Sequence, residues 1–332
     1  MPFRVGNVTI RRRVLLAPMA GITDLPFRRL VGRFGAGLLV SEMVASREVV
    51  AANRAARARA ATEDHTIPTA VQIAGREAHW MAEAARLVAD RGACMVDINM
   101  GCPAKKVTSG WSGSALMREP DHALRLVEAV VGAVDVPVTL KMRLGWDDTC
   151  LNAADLARRA EAAGVAMITV HGRTRAQFYK GRADWDAIAA VRTAVSVPVV
   201  ANGDVIDTAT AEAALARSGA DAVMVGRGAQ GAPWMIDAIA RGLEGRAQAP
   251  LTLAARRDLL IEHHEAMLAH YGRDVGQRVA RKHLGWALDR LRDTAALRAQ
   301  LMRLDEPAAV HAAIRSGFDR MIEEAGAWQK AA

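Results

Sequence analysis

Cysteine is scarce in this sequence of 332 residues, and Cys94, Cys102 and Cys150 are the only three. An odd and sparse set of thiols cannot form a disulfide framework, which excludes a small secreted scaffold held together by disulfides. Long hydrophobic runs are also missing, because Asp, Arg or Lys interrupts each one before the roughly 18 to 20 residues that span a bilayer. These absences predict a cytoplasmic protein without a membrane segment.

Signature motifs of several enzyme classes are absent as well. His263 and His264 are adjacent rather than spaced along one helix face, and no cysteine pair has metal-ligand spacing, so we expect no metal site. The sequence contains neither a Gly-x-Ser-x-Gly elbow nor a Walker loop, which disfavours hydrolases and nucleoside triphosphatases.

Positive charge is what the chain has in excess, with 44 Lys and Arg against 36 Asp and Glu and a formal net charge of +8. This balance suits a polyanionic partner, although an arginine-rich proteome would produce it equally well. Hydrophobic residues make up 51% of the chain, which indicates a globular protein with an ample core. The length suits a barrel of about 250 residues with a small appendage.

A repeating cadence organises most of the chain. Ala-rich amphipathic segments end at Gly35, Gly92, Gly164 and Gly219, and a short β-branched run follows each glycine at once. Glycine at such a joint fits the positive φ found just after a helix, and the runs fit buried parallel strands. The predicted strands cover residues 14–17, 38–41, 69–73, 95–99, 167–171 and 222–226, with two more opening at the Val-Pro-Val sequences 136–138 and 197–199.

Eight β/α units predict a closed α/β fold, the TIM barrel. A doubly wound open sheet could use the same elements, but it would confine the functional residues to two or three strand ends. Here the residues at the strand ends, most of them polar, are spread around every unit, and a barrel gathers all of them at its C-terminal rim, where TIM-barrel chemistry occurs. These residues are Pro18, Met19, Glu42, Gln72, Asn99, Lys141, His171, Asn202, Gly203, Gly226 and Arg227.

Two appendages flank the predicted barrel. Residues 3–10 around Gly6-Asn7 resemble a hairpin that could cap the barrel floor. After Gly245 the strand pattern stops and a helical pattern begins, so we predict a catalytic domain over residues 1–245, with the hairpin in 1–12, and a helical domain over 246–332. The helical domain is too short for independent catalysis and suits binding of a partner.

The loop after the eighth strand satisfies the Gly-x-Gly-x-x-Gly pattern over residues 226–231. A dinucleotide site needs a further strand that carries an acid about 20 residues on, and the segment up to Glu244 has none. In a barrel this loop lies beside Asn202-Gly203-Asp204, and loops seven and eight often bind a phosphate. A mononucleotide such as FMN is therefore favoured.

Lys141 ends its strand as the only cation in an apolar run, and His171 occupies the equivalent place one unit later. A buried ammonium needs an anion, which reduced flavin would provide near its N1 atom. An ion pair with Asp97 or Glu42 is the structural alternative. Cys102, in a loop stiffened by Gly101 and Pro103, is the cysteine with a predicted function, whereas Cys94 is expected to be a buried hydrophobe.

Basic residues form a second constellation. One group follows strands four, five and six and comprises Lys105, Lys106, Arg143, Arg173, Arg175, Lys180 and Arg182. In the helical domain Arg278, Arg281 and Lys282 share one helix face, with Trp286 one turn further on. This ridge could follow a phosphate backbone, and it could equally be a solvated helix face beside a core tryptophan.

Taken together, these motifs resemble the tRNA-dihydrouridine synthases, and most closely the bacterial B-type branch. The resemblance covers almost the whole chain. The motifs that carry it are Ala17-Pro18-Met19-Ala20-Gly21 with Thr23-Asp24, Asn99 with Gly101-Cys102-Pro103, Lys141-Met142-Arg143, His171-Gly172-Arg173-Thr174-Arg175, Asn202-Gly203-Asp204, Gly226-Arg227 with Pro233-Trp234, and Arg281-Lys282-His283.

The resemblance implies an FMN-binding barrel and a tRNA-binding helical domain, in a protein that we expect to be monomeric. It assigns FMN binding to Pro18, Met19, Gln72, Lys141, His171, Asn202, Gly203, Asp204, Gly226 and Arg227. Asn99, Arg143, Arg175, Arg281 and Lys282 would approach the uridine or the tRNA backbone. NADPH, or NADH, would reduce FMN, hydride would pass from N5 to C6 of a uridine, and Cys102 would protonate C5.

One departure and two rival functions remain. Relatives usually carry a basic residue about where this chain has Ser109-Gly110-Trp111, so stacking by Trp111 could replace a tRNA contact.

The first rival function is that of a flavin barrel that acts on a free pyrimidine or dihydroorotate, which would leave the helical domain unused. The second is an RNA-binding protein whose flavin site has lapsed.

Overall fold

The computed structural model describes residues 2–62, 67–246 and 250–331. The chain forms two compact units. The first unit comprises Met1–Ala229 and Trp234–Arg246, and the second comprises Gln230–Pro233 and Ala247–Ala332. The short segment Gln230–Pro233, which the sequence analysis placed in the barrel, therefore groups with the helical unit.

Parallel strands close into a barrel in the first unit. The strands are β3 Val14–Leu16, β4 Leu39–Val40, β5 Val44–Ala45, β6 Thr69–Ala74, β7 Met95–Met100, β8 Val138–Arg143, β9 Met167–His171, β10 Val199–Asn202 and β11 Ala222–Val225. Each pairs with its neighbour in parallel from β6 to β11, β11 pairs with β3, and β3 with β4. Because β4 also pairs with β6, the sheet closes, and the predicted TIM barrel is confirmed.

Two details of the strand prediction needed correction. The second predicted strand, 38–41, corresponds to the shorter β4, and an additional short strand, β5, follows it; both pair with β6. The Val-Pro-Val strands begin at Val138 and Val199, after the proline rather than before it. Proline lacks the N–H that a ladder hydrogen bond requires, so it precedes the strand rather than opening it.

Helices cover the outside of the barrel. They are α1 Leu25–Arg33, α2 Ser46–Val50, α3 Arg54–Arg59, α4 Ala78–Asp90, α5 Lys105–Thr108, α6 Pro120–Val131, α7 Ala153–Ala162, α8 Asp186–Ala194, α9 Thr208–Ser218 and α10 Met235–Leu243, with 3-10 turns at Gly113–Arg118 and Arg227–Ala229. The predicted joint glycines Gly35, Gly92, Gly164 and Gly219 all have positive φ, of 68°, 89°, 103° and 64°. This conformation is the one that favours glycine after a helix.

Side chains of the strands alternate between two hydrophobic clusters. On β7, Val96 and Ile98 pack in the cluster beneath the outer helices. Met95 packs instead with Leu15 and Met167 in a cluster inside the barrel. Since alternate residues of a strand share a face, Asp97 and Asn99 also point inward, above this apolar layer.

The predicted N-terminal hairpin consists of β1 Phe3–Val5 and β2 Val8–Ile10, paired antiparallel. Val5 and Ile10 are fully buried in the cluster inside the barrel, with Leu15 and Met95. A Cβ on Gly6 would lie 2.8 Å from Pro137 Cγ, just before β8. The hairpin thus closes the N-terminal end of the barrel and leaves the opposite end for the site.

The second unit is a bundle of the helices α11 Leu253–Tyr271, α12 Arg273–Leu288, α13 Ala295–Leu301 and α14 Pro307–Ala331. Leu284, Leu301, Val310, Ile314 and Phe318 form the centre of its own hydrophobic core. The predicted helical C-terminal region is thereby confirmed. No helix within the described ranges combines the length and the apolar composition that a bilayer-spanning segment requires.

Candidate active site

Polar side chains from five consecutive strands, β6 to β10, meet at the C-terminal end of the barrel. The strand register pairs Asn99 with Lys141 and His171 with Asn202. Gln72 pairs with Asp97, one inward-facing position below Asn99. Register partners have neighbouring Cα atoms, so the barrel brings together residues that lie up to 130 positions apart in the sequence, as with Gln72 and Asn202.

A chain of amide hydrogen bonds fixes one side of this cluster. Gln72 Nε2 donates to Asp97 Oδ2 at 2.7 Å, and Asn99 Nδ2 donates to Gln72 Oε1 at 2.7 Å. Thr139 Oγ1 donates to the other Asp97 oxygen at 2.6 Å. Burial raises the pKa of Asp97 to about 6, although these hydrogen bonds and the nearby charge of Lys141 act to lower it. Because each amide has a defined partner, both Gln72 and Asn99 are held in one orientation.

Lys141 is the buried cation of the cluster. Its Nζ donates to Asn202 Oδ1 at 2.9 Å, and Asn202 Nδ2 in turn donates to Met224 O at 2.8 Å. Burial and then Arg143 lower the pKa of Lys141 to about 8, against the opposing effects of Asp97 and Cys102. The ammonium is therefore mostly charged at neutral pH.

The alternative of a structural ion pair for Lys141 is not what the side chains form. In the described part of the chain no carboxylate oxygen lies within 4 Å of Lys141 Nζ, and Asp97 accepts instead from Thr139 and Gln72. Glu42 accepts from the backbone N–H of Gly21. One hydrogen bond to an amide uses only one of three ammonium donors, so two remain for another acceptor.

His171 is a neutral imidazole at physiological pH. Desolvation, followed by the charges of Lys141, Arg143 and Arg173, lowers the pKa of His171 well below its ordinary value. Its Nε2 lies 3.3 Å from Arg173 Nη1. Because a guanidinium can only donate, Nε2 is the acceptor and the proton is on Nδ1. His171 can therefore donate one hydrogen bond from Nδ1.

Asp204 ties together the loops after β9, β10 and β11. Its Oδ2 lies 2.6 Å from Arg173 Nη2 and accepts from Ala183 N at 2.7 Å, while Oδ1 lies 3.2 Å from Arg227 Nη2. Desolvation raises the pKa of Asp204, but the hydrogen bond from Arg173 and the two guanidinium charges outweigh it and lower the pKa. Asp204 is thus shared between two guanidinium groups.

Two glycines allow the backbone to come close to the site. Gly203 has a φ of +113°, and a Cβ there would lie 2.8 Å from His171 Cδ2 and 2.8 Å from Ala183 Cβ. At Gly226 a Cβ would lie 3.6 Å from Met19 Sδ. Any side chain at Gly203 would thus displace the imidazole, whereas one at Gly226 would fill space beside Met19.

Cys102 is held by its backbone at the start of the loop after β7. Its N–H donates to Asn99 Oδ1 at 3.0 Å, and its carbonyl accepts from Ser114 N at 3.1 Å and Ser114 Oγ at 2.9 Å. Gly113, with a φ of +60°, packs so closely that a Cβ there would lie 2.9 Å from the Cys102 carbonyl oxygen. The thiol therefore projects from a fixed backbone next to the amide cluster.

A family model described as "Dihydrouridine synthase (Dus)" matches residues 15–323 of this chain. The chain belongs to the dihydrouridine synthase family. It is 66% identical over 320 residues to the "Probable tRNA-dihydrouridine synthase" of Rhodobacter capsulatus. The alignment covers 96% of this chain and 98% of that protein. It is 48% identical over 320 residues to the "tRNA-dihydrouridine synthase B" of Xanthomonas campestris, with 96% of each chain covered.

The barrel fold of this dihydrouridine synthase family member also occurs in solved structures of low sequence identity. A solved structure of the old yellow enzyme homologue from Zymomonas mobilis superposes with a TM-score of 0.52 at 16% sequence identity. The match covers 76% of this chain and 93% of that chain. At this identity the likeness concerns the barrel architecture alone.

Arg143, which the resemblance assigns to the uridine or the tRNA backbone, is buried at the mouth of the barrel. It is 1% exposed, and it donates to the carbonyls of Gly101, Thr174 and Phe178 at 2.7, 2.8 and 2.8 Å. Burial is the main cause that lowers the pKa of Arg143, to about 10, which leaves it charged. Its guanidinium thus joins the Cys102 loop to the loop after β9.

The remaining predicted tRNA contacts lie in two places. Arg175 lies at the rim, with its guanidinium carbon 4.5 Å from the centre of the Trp146 ring. Arg281, on α12, pairs with Asp305 at 2.6 Å, and its neighbour Lys282 is half-buried. Beside them His283 is buried against His263, with ring centres 4.8 Å apart.

Three residues of the site have no specific role predicted from the sequence. Asp97 is there only an alternative partner of Lys141, and Arg173 is only one of several basic residues. Tyr179 has no predicted role. The Tyr179 ring lies 5.5 Å from the Arg143 guanidinium carbon and 5.4 Å from that of Arg227. A tyrosine in a chain that has two of them, placed between rim arginines, is the signal that could have identified it.

Proposed function

We propose that this chain binds FMN at the C-terminal mouth of its barrel and uses it to reduce a uridine of tRNA to 5,6-dihydrouridine, with NADPH as the reductant. The observation that carries the proposal is Lys141, a buried and mostly charged ammonium with one amide partner at 2.9 Å. A buried cation without an ion-pair partner is costly unless a ligand supplies the negative charge. The names of the relatives supply the substrate.

The donor set of the mouth fits a flavin ring. Lys141, the Nδ1–H of His171 and the oriented amides of Gln72 and Asn99 offer hydrogen bonds to ring oxygens and nitrogens. Thr169, the register partner of Lys141, adds a hydroxyl that is buried without a hydrogen-bond partner in the described part of the chain. Ligand sites typically combine such convergent polar groups with apolar walls.

The phosphate of FMN fits the loops after β10 and β11. Gly203, Asp204, Gly226 and Arg227 follow these strands, and Arg173 and Arg227 place two guanidinium groups there beside Asp204. The 3-10 turn Arg227–Ala229 follows β11, at the place where barrels often bind a phosphate. Pro18 and Met19 lie beside this corner, since Met19 borders Gly226.

When bound, FMN would supply the two-electron reduction of the uracil, as a hydride. Lys141 would stabilise negative charge on the reduced ring through its remaining ammonium donors. Asn99 holds the backbone N–H of Cys102 and thereby positions the thiol. Cys102 Sγ would act as the general acid and give its proton to C5 of the uracil.

The base must leave the folded tRNA to reach this mouth, which costs a few kcal/mol of unstacking and unpairing. Positive charge at the rim and on α12 supplies compensating phosphate contacts. The residues that we assign to tRNA are Arg175, Arg281 and Lys282. Arg143, which holds three loop carbonyls, positions the Cys102 loop under the incoming base.

The test is incubation of the purified protein with FMN, NADPH and an unmodified tRNA transcript, followed by mass spectrometry of the nucleosides. We expect a gain of two mass units in a uridine. Free uridine and free uracil serve as parallel substrates. Reduction of free uridine or free uracil without reduction of tRNA would contradict the proposal and indicate a reductase of small molecules.

A further inference from the structure

Four side chains form a ladder of alternating aromatic rings and guanidinium groups at the rim of the barrel. The Arg118 guanidinium carbon lies 5.5 Å from the centre of the Trp111 ring and 5.0 Å from that of Trp146. Arg175 covers Trp146 at 4.5 Å. The order Trp111, Arg118, Trp146, Arg175 is hereafter called the stacking ladder.

The stacking ladder connects three consecutive rim loops. Trp111 and Arg118 follow β7, Trp146 follows β8, and Arg175 follows β9. Backbone hydrogen bonds hold the second and third loops together, from Arg175 N to Gly145 O at 3.0 Å and from Ala176 N to Trp146 O at 2.8 Å. All three loops leave the end of the barrel at which the candidate active site lies.

The stacking ladder is also fixed to the Cys102 loop. Trp111 lies just before the 3-10 turn Gly113–Arg118 and Arg118 ends it, and Ser114 in that turn makes two hydrogen bonds to the Cys102 carbonyl. Asn152 joins the far end of the turn to the loop after β8, because its Nδ2 donates to Met117 O at 2.7 Å. The position of Trp111 is therefore set relative to Cys102.

Trp111 has a strained backbone conformation. Its φ is +55°, in the left-handed region that bulky residues rarely adopt, and 48% of its surface is exposed. Burial of the indole does not explain the strained backbone, because the indole is half in solvent. Strain of this kind clusters at ligand sites, where the surrounding structure maintains it.

The two guanidinium groups of the stacking ladder form no ion pair with a carboxylate in the part of the chain that the structure describes. In the described ranges neither Arg118 nor Arg175 has a carboxylate oxygen within 4 Å, and Arg175 Nε is buried without a hydrogen-bond partner. Asp147 lies near Arg118 and its pKa is lowered, chiefly by hydrogen bonds from Thr149. Aromatic faces beside guanidinium groups suit a ligand that is both flat and anionic.

Space for such a ligand adjoins Trp111. An open groove of about 450 Å³ is lined by Arg76, Glu77, Trp111, Glu119, His122 and Arg125. Two arginines and two glutamates give it no strong net charge, so the indole face is its distinctive feature. A nucleotide whose base lies on Trp111 would place its phosphate within reach of the ladder arginines.

We propose that the stacking ladder is a second nucleobase site, which holds an unpaired base of the tRNA near the uridine that is reduced. The proposal rests on the proposed function for its choice of RNA. Stacking on Trp111 replaces part of the base stacking that the tRNA loses when the target uridine is extruded. The site thereby contributes to affinity for unpaired RNA rather than to the chemistry itself.

The test measures equilibrium binding of an unmodified tRNA transcript at one fixed salt concentration. We expect W111A to bind about ten-fold more weakly than the wild type, because stacking of one base contributes on the order of 1–3 kcal/mol. W111F keeps an aromatic face and should stay within about three-fold of the wild type. Thermal unfolding of each variant shows that the exposed substitution leaves the fold intact.

Two controls separate stacking from general electrostatics. R158A removes an exposed arginine on α7 that lies outside the ladder and pairs with Asp155, and it should bind tRNA like the wild type. A blunt RNA duplex, which offers no unpaired base, should bind equally well to the wild type and to W111A. Equal tRNA binding by W111A and the wild type, or an equal loss for the duplex, would overturn the proposal.

The binding measurement does not depend on turnover. A protein that binds tRNA through Trp111 but forms no dihydrouridine would contradict the proposed function and support the stacking ladder. A protein that forms dihydrouridine with unchanged tRNA affinity in W111A would support the function and contradict the ladder. A wild type that binds no tRNA would contradict both.

Discussion

At the scale of single residues, two side chains at the barrel mouth have separate duties. Lys141 provides charge, and its hydrogen bond to Asn202 at 2.9 Å fixes the direction of the ammonium. Cys102 provides a proton, and Asn99 fixes its backbone at 3.0 Å. Substitution of either one should therefore leave the other in place, which makes their effects separable.

K141M should make the midpoint potential of bound FMN more negative, because the reduced form loses a charged partner. A hydrogen bond to a charged group contributes about 1.5–3 kcal/mol, which corresponds to about 30–60 mV for a two-electron couple. Spectroelectrochemical titration of the two proteins measures the shift. K106M, at an exposed rim lysine, is the matched control, and an unchanged potential in K141M would contradict the assigned role.

C102A should slow dihydrouridine formation by about 10²- to 10⁴-fold while FMN binding stays near the wild-type level, since a general acid contributes about that much. Single-turnover assays on unmodified tRNA measure the rate. C94A is the control, because Cys94 donates to Thr69 O at 3.1 Å away from the rim. A wild-type rate in C102A would remove the thiol from the mechanism.

At the scale of elements, the loop after β10 shows how local backbone conformation shapes the mouth. Gly203 combines a φ of +113° with contacts that leave no space for a Cβ. Its carbonyl accepts from Trp185 Nε1 at 3.0 Å, so the loop cannot move away easily. The close approach of this backbone to His171 is therefore a requirement of the site.

G203A should lower the free energy of unfolding by about 1–3 kcal/mol and weaken FMN binding, because strain and overpacking add at this position. G181A is the matched control, since Gly181 has a φ of +66° but a Cβ there would meet nothing within 4 Å. Urea denaturation and flavin titration give the two readouts. If both variants behave alike, the clash with His171 is not important.

The buried histidines between α11 and α12 predict acid sensitivity of the helical unit. Burial, with a smaller effect of His264, lowers the pKa of His263 to about 4, and burial also lowers the pKa of His283 well below its usual range. The unfolded chain then binds more protons below pH 6.5, so this stability is present at neutral pH and is lost as pH falls toward 4.

From His263 alone, the free energy of unfolding should fall by about 2 kcal/mol between pH 7 and pH 5. Hydrogen exchange of α12 in the full chain measures this locally. H79Q, at a histidine on α4 with a 62% exposed side chain, should leave the pH dependence unchanged. Protection of α12 that is equal at both pH values would contradict the linkage.

At the scale of the whole molecule, the barrel could be predicted because its signals are local and repeated. Glycines at four of the helix-to-strand joints, β-branched runs and mostly polar strand ends are each visible within a few residues of sequence, and closure of the barrel then brings the strand ends together. The second strand was less clear, because β4 and β5 are two short segments that share β6 as a partner.

The uses of individual arginines could not be predicted in the same way. Arg143 binds carbonyls 31 and 35 residues further along the chain, so its burial depends on how two loops pack. The Arg173–Asp204 pair and the stacking ladder likewise join separate loops. Sequence patterns identify the positive rim, and only the packed loops determine which cations remain available.

The central claim is that scattered strand ends form one FMN site, and equilibrium titration of the purified protein with FMN tests it most directly. Flavin fluorescence and absorbance should show saturable binding of one FMN per chain, which is weakened in G203A and unaffected in G181A. Protein that folds normally but binds no FMN at saturating concentrations would contradict the account.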